Sequence, residues 1–122
     1  MREWAIAYLM TCAVEVPLVI ALVRSLGWRA WRAPGALTMA WVLQFTHPVL
    51  WLIRPDGVLP LVVAEAAIVV VEGCALWWWA VTRADEPRTR ATLERALLVA
   101  LIANAASFLL GLAVSAGLAI LA

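Results

Sequence analysis

From residue 58 to residue 81 the chain runs for 24 positions with only two charges, Glu65 and Glu72, in a background made mostly of Val, Ile, Leu, Ala and Trp. As a helix, rising about 1.5 Å per residue, that stretch spans about 36 Å, more than the ~30 Å of hydrocarbon in a bilayer. A strand is excluded, because apolar and polar residues do not alternate and an open sheet edge is not tolerated in lipid. The stretch predicts a membrane-crossing helix.

Three further segments repeat the pattern. Apolar runs separated by RSLGWRAWRAPG, RPDG and TRADEPRTRAT predict helices over about 4–24, 36–53, 58–81 and 92–121, since the breaks hold the Arg, Pro, Gly and acidic residues that stop helices and seek water. The expected fold is all-α: an integral membrane four-helix bundle forming one transmembrane domain over 1–122. A composition of 66% hydrophobic and 14% charged residues, with a mean hydropathy of +0.98, lies outside the range of soluble domains and agrees with that placement. The first run is too long for a signal h-region, carries Glu15 at its middle and leads into VRSLGWRAWR, so it is expected to remain as a helix.

Charge and cysteine content remove other classes. A formal charge of +1 gives no basic surface for nucleic acid. All nine cations are Arg, which with the Ala-rich composition points to a high-GC bacterial genome and so to a bacterial inner membrane. Cys12 and Cys74 lie in apolar segments, where a thiol acts as a small hydrophobe. Short Arg-rich loops stay cytoplasmic. Arg24, Arg29, Arg32, Arg83, Arg88, Arg90 and Arg95 against Arg2 and Arg54 therefore place both termini on the non-cytoplasmic side. In that frame Trp28, Trp31, Trp77, Trp78 and Trp79 are expected at the cytoplasmic interface, and Trp4 and Trp51 at the outer one.

The polar residues inside the apolar runs carry the functional information. Eleven Val, Leu and Ile residues in the third segment favour insertion by roughly 0.3–0.6 kcal/mol each, while an ionised acid near the centre opposes it by about 2.5–3.5 kcal/mol. Two ionised acids would nearly cancel the gain, so Glu65 and Glu72 are expected to be protonated, paired or turned toward a polar interior. Counting depth at about 1.5 Å per residue puts Glu65 and His47 in one layer, roughly 10 Å below the outer surface, and Glu15, Glu72, Gln44 and Asn104 near the midplane. Gln44 shares a helix face with His47, and Asn104, Ser107, Gly111 and Ser115 form a stripe whose small members are expected to serve packing. Pro17 and Pro48 lie beside Glu15 and His47, where a freed carbonyl and a bend are expected. The two halves read as similar helical hairpins, each an acid-bearing helix, an Arg-rich turn, and a helix with a polar pair three residues apart.

The segment AYLMTCAVEVPLV, with one acid at mid-membrane in the first of four helices, resembles the small multidrug resistance exporters over about twenty residues. That resemblance implies proton-for-cation exchange at Glu15. The aromatic and Gly-rich motifs of those exporters are not found here, and Glu65 and Glu72 are additional. The four-helix outline of about 120 residues is also similar to the fluoride channels, whose Gly-rich first helix and Ser/Thr-Phe motif are absent. Neither family is assigned.

Three functional readings stay open. In the first, Glu15, Glu65, Glu72 and His47 bind protons or cations for transport or ion handling, supported by Gln44, Asn104 and Ser107. In the second, the same groups are hydrogen-bonding glue in a structural or assembly subunit of a larger membrane complex. In the third, His47 with Glu65, Glu72 or Glu15 holds a metal, as a binding site or metalloenzyme. No HExxH, paired histidines, Cys/His cluster or cofactor motif is present, so no enzyme class, metal or cofactor is assigned. The expected partners are the lipid bilayer and, because four helices enclose little volume, further copies of the chain or a larger complex.

Overall fold

The computed structural model describes residues 2–53 and 56–121; the side chains of residues 2–4, 7, 51 and 115–121, among them those of Trp4, Trp51 and Ser115, lie outside that description. Five α-helices follow one another: α1 (Arg2–Ser25), α2 (Ala36–Leu43), α3 (Thr46–Ile53), α4 (Val58–Arg83) and α5 (Arg90–Leu121), with a short 3-10 turn at Arg29–Arg32 before α2. Among the described residues there is no strand.

Three stretches, Tyr8–Ser25, Val58–Arg83 and Arg90–Val114, are long and apolar enough to cross a bilayer, which makes this a multi-pass membrane protein. Their apolar side chains face outward in large number, Val62, Val63, Val70 and Val71 on α4 and Leu101, Leu109 and Leu112 on α5 among them. In water such a surface would be a liability; against lipid it is the expected solvent-facing side.

Where one helix was expected over 36–53, the structure has two. Pro48 supplies the reason: it has no N–H to give to the carbonyl four residues back, which belongs to Gln44, and its ring crowds that carbonyl. The backbone tightens instead. Gln44 and Phe45 bond to Trp41 and Val42 at 3.0 and 3.1 Å, and the His47 N–H reaches the Gln44 carbonyl at 3.4 Å, all three-residue steps. α1 passes through Pro17 unbroken and α5 has no proline, so the two hairpins differ in this respect.

α5 packs on both α4 and α1, α2 lies against α1 and α4, and α3 touches the same pair. One apolar core joins them, built from Val16, Val19 and Val23 on α1, Ala40 and Leu43 on α2, Leu76, Trp79 and Ala80 on α4, and Ala96, Val99 and Ala103 on α5. The many alanines let helix backbones approach, which is how membrane helices gain dispersion contacts without a hydrophobic driving force. At one end the loops lock together: the Arg29 N–H donates to Glu86 Oε1 at 2.8 Å, and Thr89 caps α5 by accepting the Thr92 N–H at 3.2 Å.

The tryptophans divide between the core and the surface. Trp28 and Trp79 are buried in the core, Trp78 is exposed, Trp77 is half-buried beneath Arg88, and Trp31 lies between Arg24 and Arg32, each guanidinium 4.9 Å from its ring centroid. Three consecutive helical positions point about 100° apart, so the WWW run sends its rings to different surroundings at nearly one height along α4.

Candidate intramembrane polar site

The three long apolar helices and the short α3 send polar side chains to one buried centre. α1 contributes Glu15, fully buried; α3 contributes Thr46 and His47; α4 contributes Glu72; α5 contributes Asn104 and Ser107. The helix break places the α3 pair there, because Thr46 is the first residue after it and anchors to the Leu43 carbonyl at 2.9 Å.

Two small networks meet in this centre. Glu15 lies against His47, with Nε2 3.2 Å from Oε1 and 3.3 Å from Oε2, and hydrogen-bonds the Ser107 hydroxyl through Oε1. Glu72 has Thr46 Oγ1 2.5 Å from Oε1 and accepts the Asn104 amide at 2.6 Å on Oε2. Asn104 gives its second amide hydrogen to the Ala100 carbonyl at 2.9 Å. One ligand atom from each of Glu15, His47 and Glu72 falls within 4.8 Å of the others.

Each hydroxyl faces two acceptors with one proton. Ser107 lies by Glu15 and by the Asn104 carbonyl, and Thr46 by Glu72 and by the Leu43 carbonyl. A hydroxyl can donate to an ionised carboxylate, or donate to the backbone and accept from a protonated carboxyl. Both carboxyls can therefore change protonation without losing their neighbour.

Among the described residues the site has no arginine. All described Arg side chains are exposed, so His47 is the cationic candidate at the centre. Two buried amide oxygens, Gln44 Oε1 and Asn104 Oδ1, have no hydrogen-bond partner, an uncommon condition for groups shut away from water.

The residues singled out by sequence distribute unevenly. Glu15, His47, Glu72, Asn104 and Ser107 come together as one cluster, in which His47 pairs with Glu15; Glu65, half-buried, makes no hydrogen bond into it among the described residues. Depth counted along straight helices missed the break at Gln44 and Phe45, which resets where α3 points. Gln44 is fully buried but bonds its own helix, Nε2 to the Ala40 carbonyl at 3.4 Å. Ser107, read both as a packing residue and as support for the polar core, is a hydrogen-bond partner of Glu15, and a Cβ at Gly111 would meet no neighbouring helix within 4 Å among the described residues.

Two contributors were not anticipated. Thr46 stands just before His47 and becomes legible only once the break is known. Gly73, next to Glu72, packs so tightly on α5 that a Cβ there would meet Leu97. Both cysteines are free, Cys12 buried and Cys74 exposed.

The chain matches no protein-family model, no curated protein and no solved structure.

Proposed function

We propose that this chain is a small inner-membrane protein of bacterial type that binds and releases protons or cations at Glu15, His47 and Glu72, in transport or ion handling. The observation that carries the reading is the convergence of three ionisable side chains from three helices in an interior that no described Arg side chain enters. Ionisable groups inside a membrane are costly to keep and are functional by default. The hydroxyls of Ser107 and Thr46 and the amide of Asn104 let the carboxyls exchange a proton or an ion without unmaking the fold.

In this reading α2 and α3 together make the fourth crossing of a four-helix bundle. Each alone is about 12 Å long, too short to cross, but end to end they approach the hydrocarbon thickness. Both termini lie on the non-cytoplasmic side, following the Arg-rich loops. One chain encloses little volume, so a permeation route needs a second copy or a larger partner. Glu65, near enough to feel the charges of His47 and Glu15, serves as a way station toward the centre.

The competing reading is a structural or assembly subunit in which the same contacts are glue, about 0.6–2 kcal/mol each. Reconstitution of the purified chain into sealed vesicles separates the two. Flux of protons, monovalent cations or divalent cations above protein-free vesicles supports ion handling. No flux of any of these, with an unrelated membrane protein copurifying, supports the assembly role.

A further inference from the structure

We propose that Glu15, His47 and Glu72 form a binding site for one divalent transition-metal ion of the zinc class, the ion that the proposed ion-handling site takes. This rests on that reading for its biological use, but the site itself stands on geometry.

The donor set comes first. One imidazole nitrogen and two carboxylate oxygens suit zinc and its first-row neighbours. Calcium takes about six to eight oxygens, and magnesium keeps a near-octahedral oxygen shell with several waters, neither of which this buried centre provides. Bond lengths of about 2.0–2.1 Å in a tetrahedron require donors about 3.3 Å apart. His47 Nε2 and the Glu15 oxygens are separated by 3.2 and 3.3 Å. The third donor, from Glu72, lies within 4.8 Å of the other two, so that binding an ion requires this carboxylate to draw in toward it.

Charge gives an independent reason. With His47 neutral, as a ligand must be, two carboxylates leave the centre at −2, and all described Arg side chains are exposed. A divalent ion brings this interior to neutrality; a monovalent ion leaves one uncompensated charge in lipid.

Further partners orient the ligands. Ser107 holds Glu15, while Thr46 and Asn104 hold the two oxygens of Glu72, the kind of outer support that metal-binding carboxylates have. The Asn104 amide also leaves Oδ1 buried without a partner. Within one amide that oxygen is about 2.3 Å from Nδ2, and Nδ2 is 2.6 Å from Glu72 Oε2. An orphaned acceptor on the residue that holds Glu72 is one that a metal-bound water would satisfy. Three protein ligands leave a fourth position open, which suits an ion that must be released again.

The test needs no transport. The whole chain, purified in detergent and stripped with chelator, is titrated with Zn²⁺ and with Co²⁺, whose visible spectrum reports coordination. The expected result is one ion per chain, with Co²⁺ bands of tetrahedral strength. Glu15→Gln, His47→Gln and Glu72→Gln should each abolish the bands while helix content and elution volume stay as in wild type. The exposed Glu94→Gln variant should bind as wild type does. If a ligand variant does not fold, Thr46→Val offers a milder change, expected to weaken binding about 10–100-fold. Folded wild-type protein that binds neither ion stoichiometrically overturns the site, as does binding that survives all three ligand substitutions. Proton flux without metal binding overturns the metal and leaves ion handling standing; metal binding without flux supports the site and removes transport.

Discussion

Gly73 of α4 rests directly on the backbone of Leu97 in α5: a Cβ at Gly73 would stand 2.9 Å from Leu97 Cα and 2.6 Å from its Cδ2. Backbone cannot yield as a flexible side chain can, so any side chain at this position forces the helices apart. Glu72 is the preceding residue and meets Asn104 on the same neighbouring helix at 2.6 Å. The close approach thus sets the distance at which the polar centre forms.

Gly73→Ala is therefore expected to destabilise the protein by about 1–3 kcal/mol, the usual cost of overpacking, and to disturb the polar centre as well. Thermal unfolding in detergent measures the first, and Co²⁺ spectra the second. A variant with wild-type stability and spectrum would mean that α4 and α5 do not pack this closely.

Pro48→Ala gives back the N–H that the Gln44 carbonyl lacks. The α2–α3 segment should gain helix, visible as a rise in far-UV circular dichroism, while His47 and Thr46 are carried away from Glu15 and Glu72. More helix and weaker ion binding are expected together. Unchanged binding in a straightened segment would show that the break is not what positions His47.

Thr46→Val keeps shape and removes the hydroxyl 2.5 Å from Glu72 Oε1. Its stability cost should be modest, about 0.6–2 kcal/mol for one interhelical hydrogen bond in a membrane. Its effect on ion affinity should be larger, because the carboxylate loses its orientation. Denaturant titration set beside metal titration distinguishes the two; losses of equal size would reduce Thr46 to glue.

Cysteines placed at Ser25 and Asp56 in a background lacking Cys12 and Cys74 should label from opposite faces of intact membranes, Ser25 from the cytoplasm. Both positions are exposed. Cytoplasmic labelling of Asp56 would invert the arrangement drawn from the Arg-rich loops.

Much of this site was legible in the sequence, and the part that was not has identifiable causes. Glu15, His47, Glu72 and Asn104 stand out because a polar residue in a long apolar run has few places to go except inward. Which of them touch depends on the rotation and bend of each helix, and hydropathy does not encode either. His47 was thus matched with Glu65 by depth although it meets Glu15 at 3.2 Å. The break at Gln44 was available in principle, since Pro48 stands four residues on, but prolines are often absorbed within membrane helices, as Pro17 is here. Trp28 and Trp79 read as interfacial because their amphipathic rings favour that boundary; that both also pack into the core depends on helix rotation and was not legible. Gly73 left no signal of its own, because a glycine in an apolar helix is common whether or not a neighbouring backbone presses on it.

The most direct measurement compares wild type with Glu72→Gln in sealed vesicles. Glutamine keeps the size of the side chain and can still accept the Asn104 amide and bond to Thr46, so a purely structural Glu72 should be replaceable. A group that must bind and release a proton or an ion is not replaceable by glutamine. The expected result is a variant that inserts and folds as wild type does, yet carries no proton or divalent-cation flux while wild type does. A Glu72→Gln variant with wild-type flux, or a wild-type protein with none, would contradict the assignment of the Glu15/His47/Glu72 centre to ion handling.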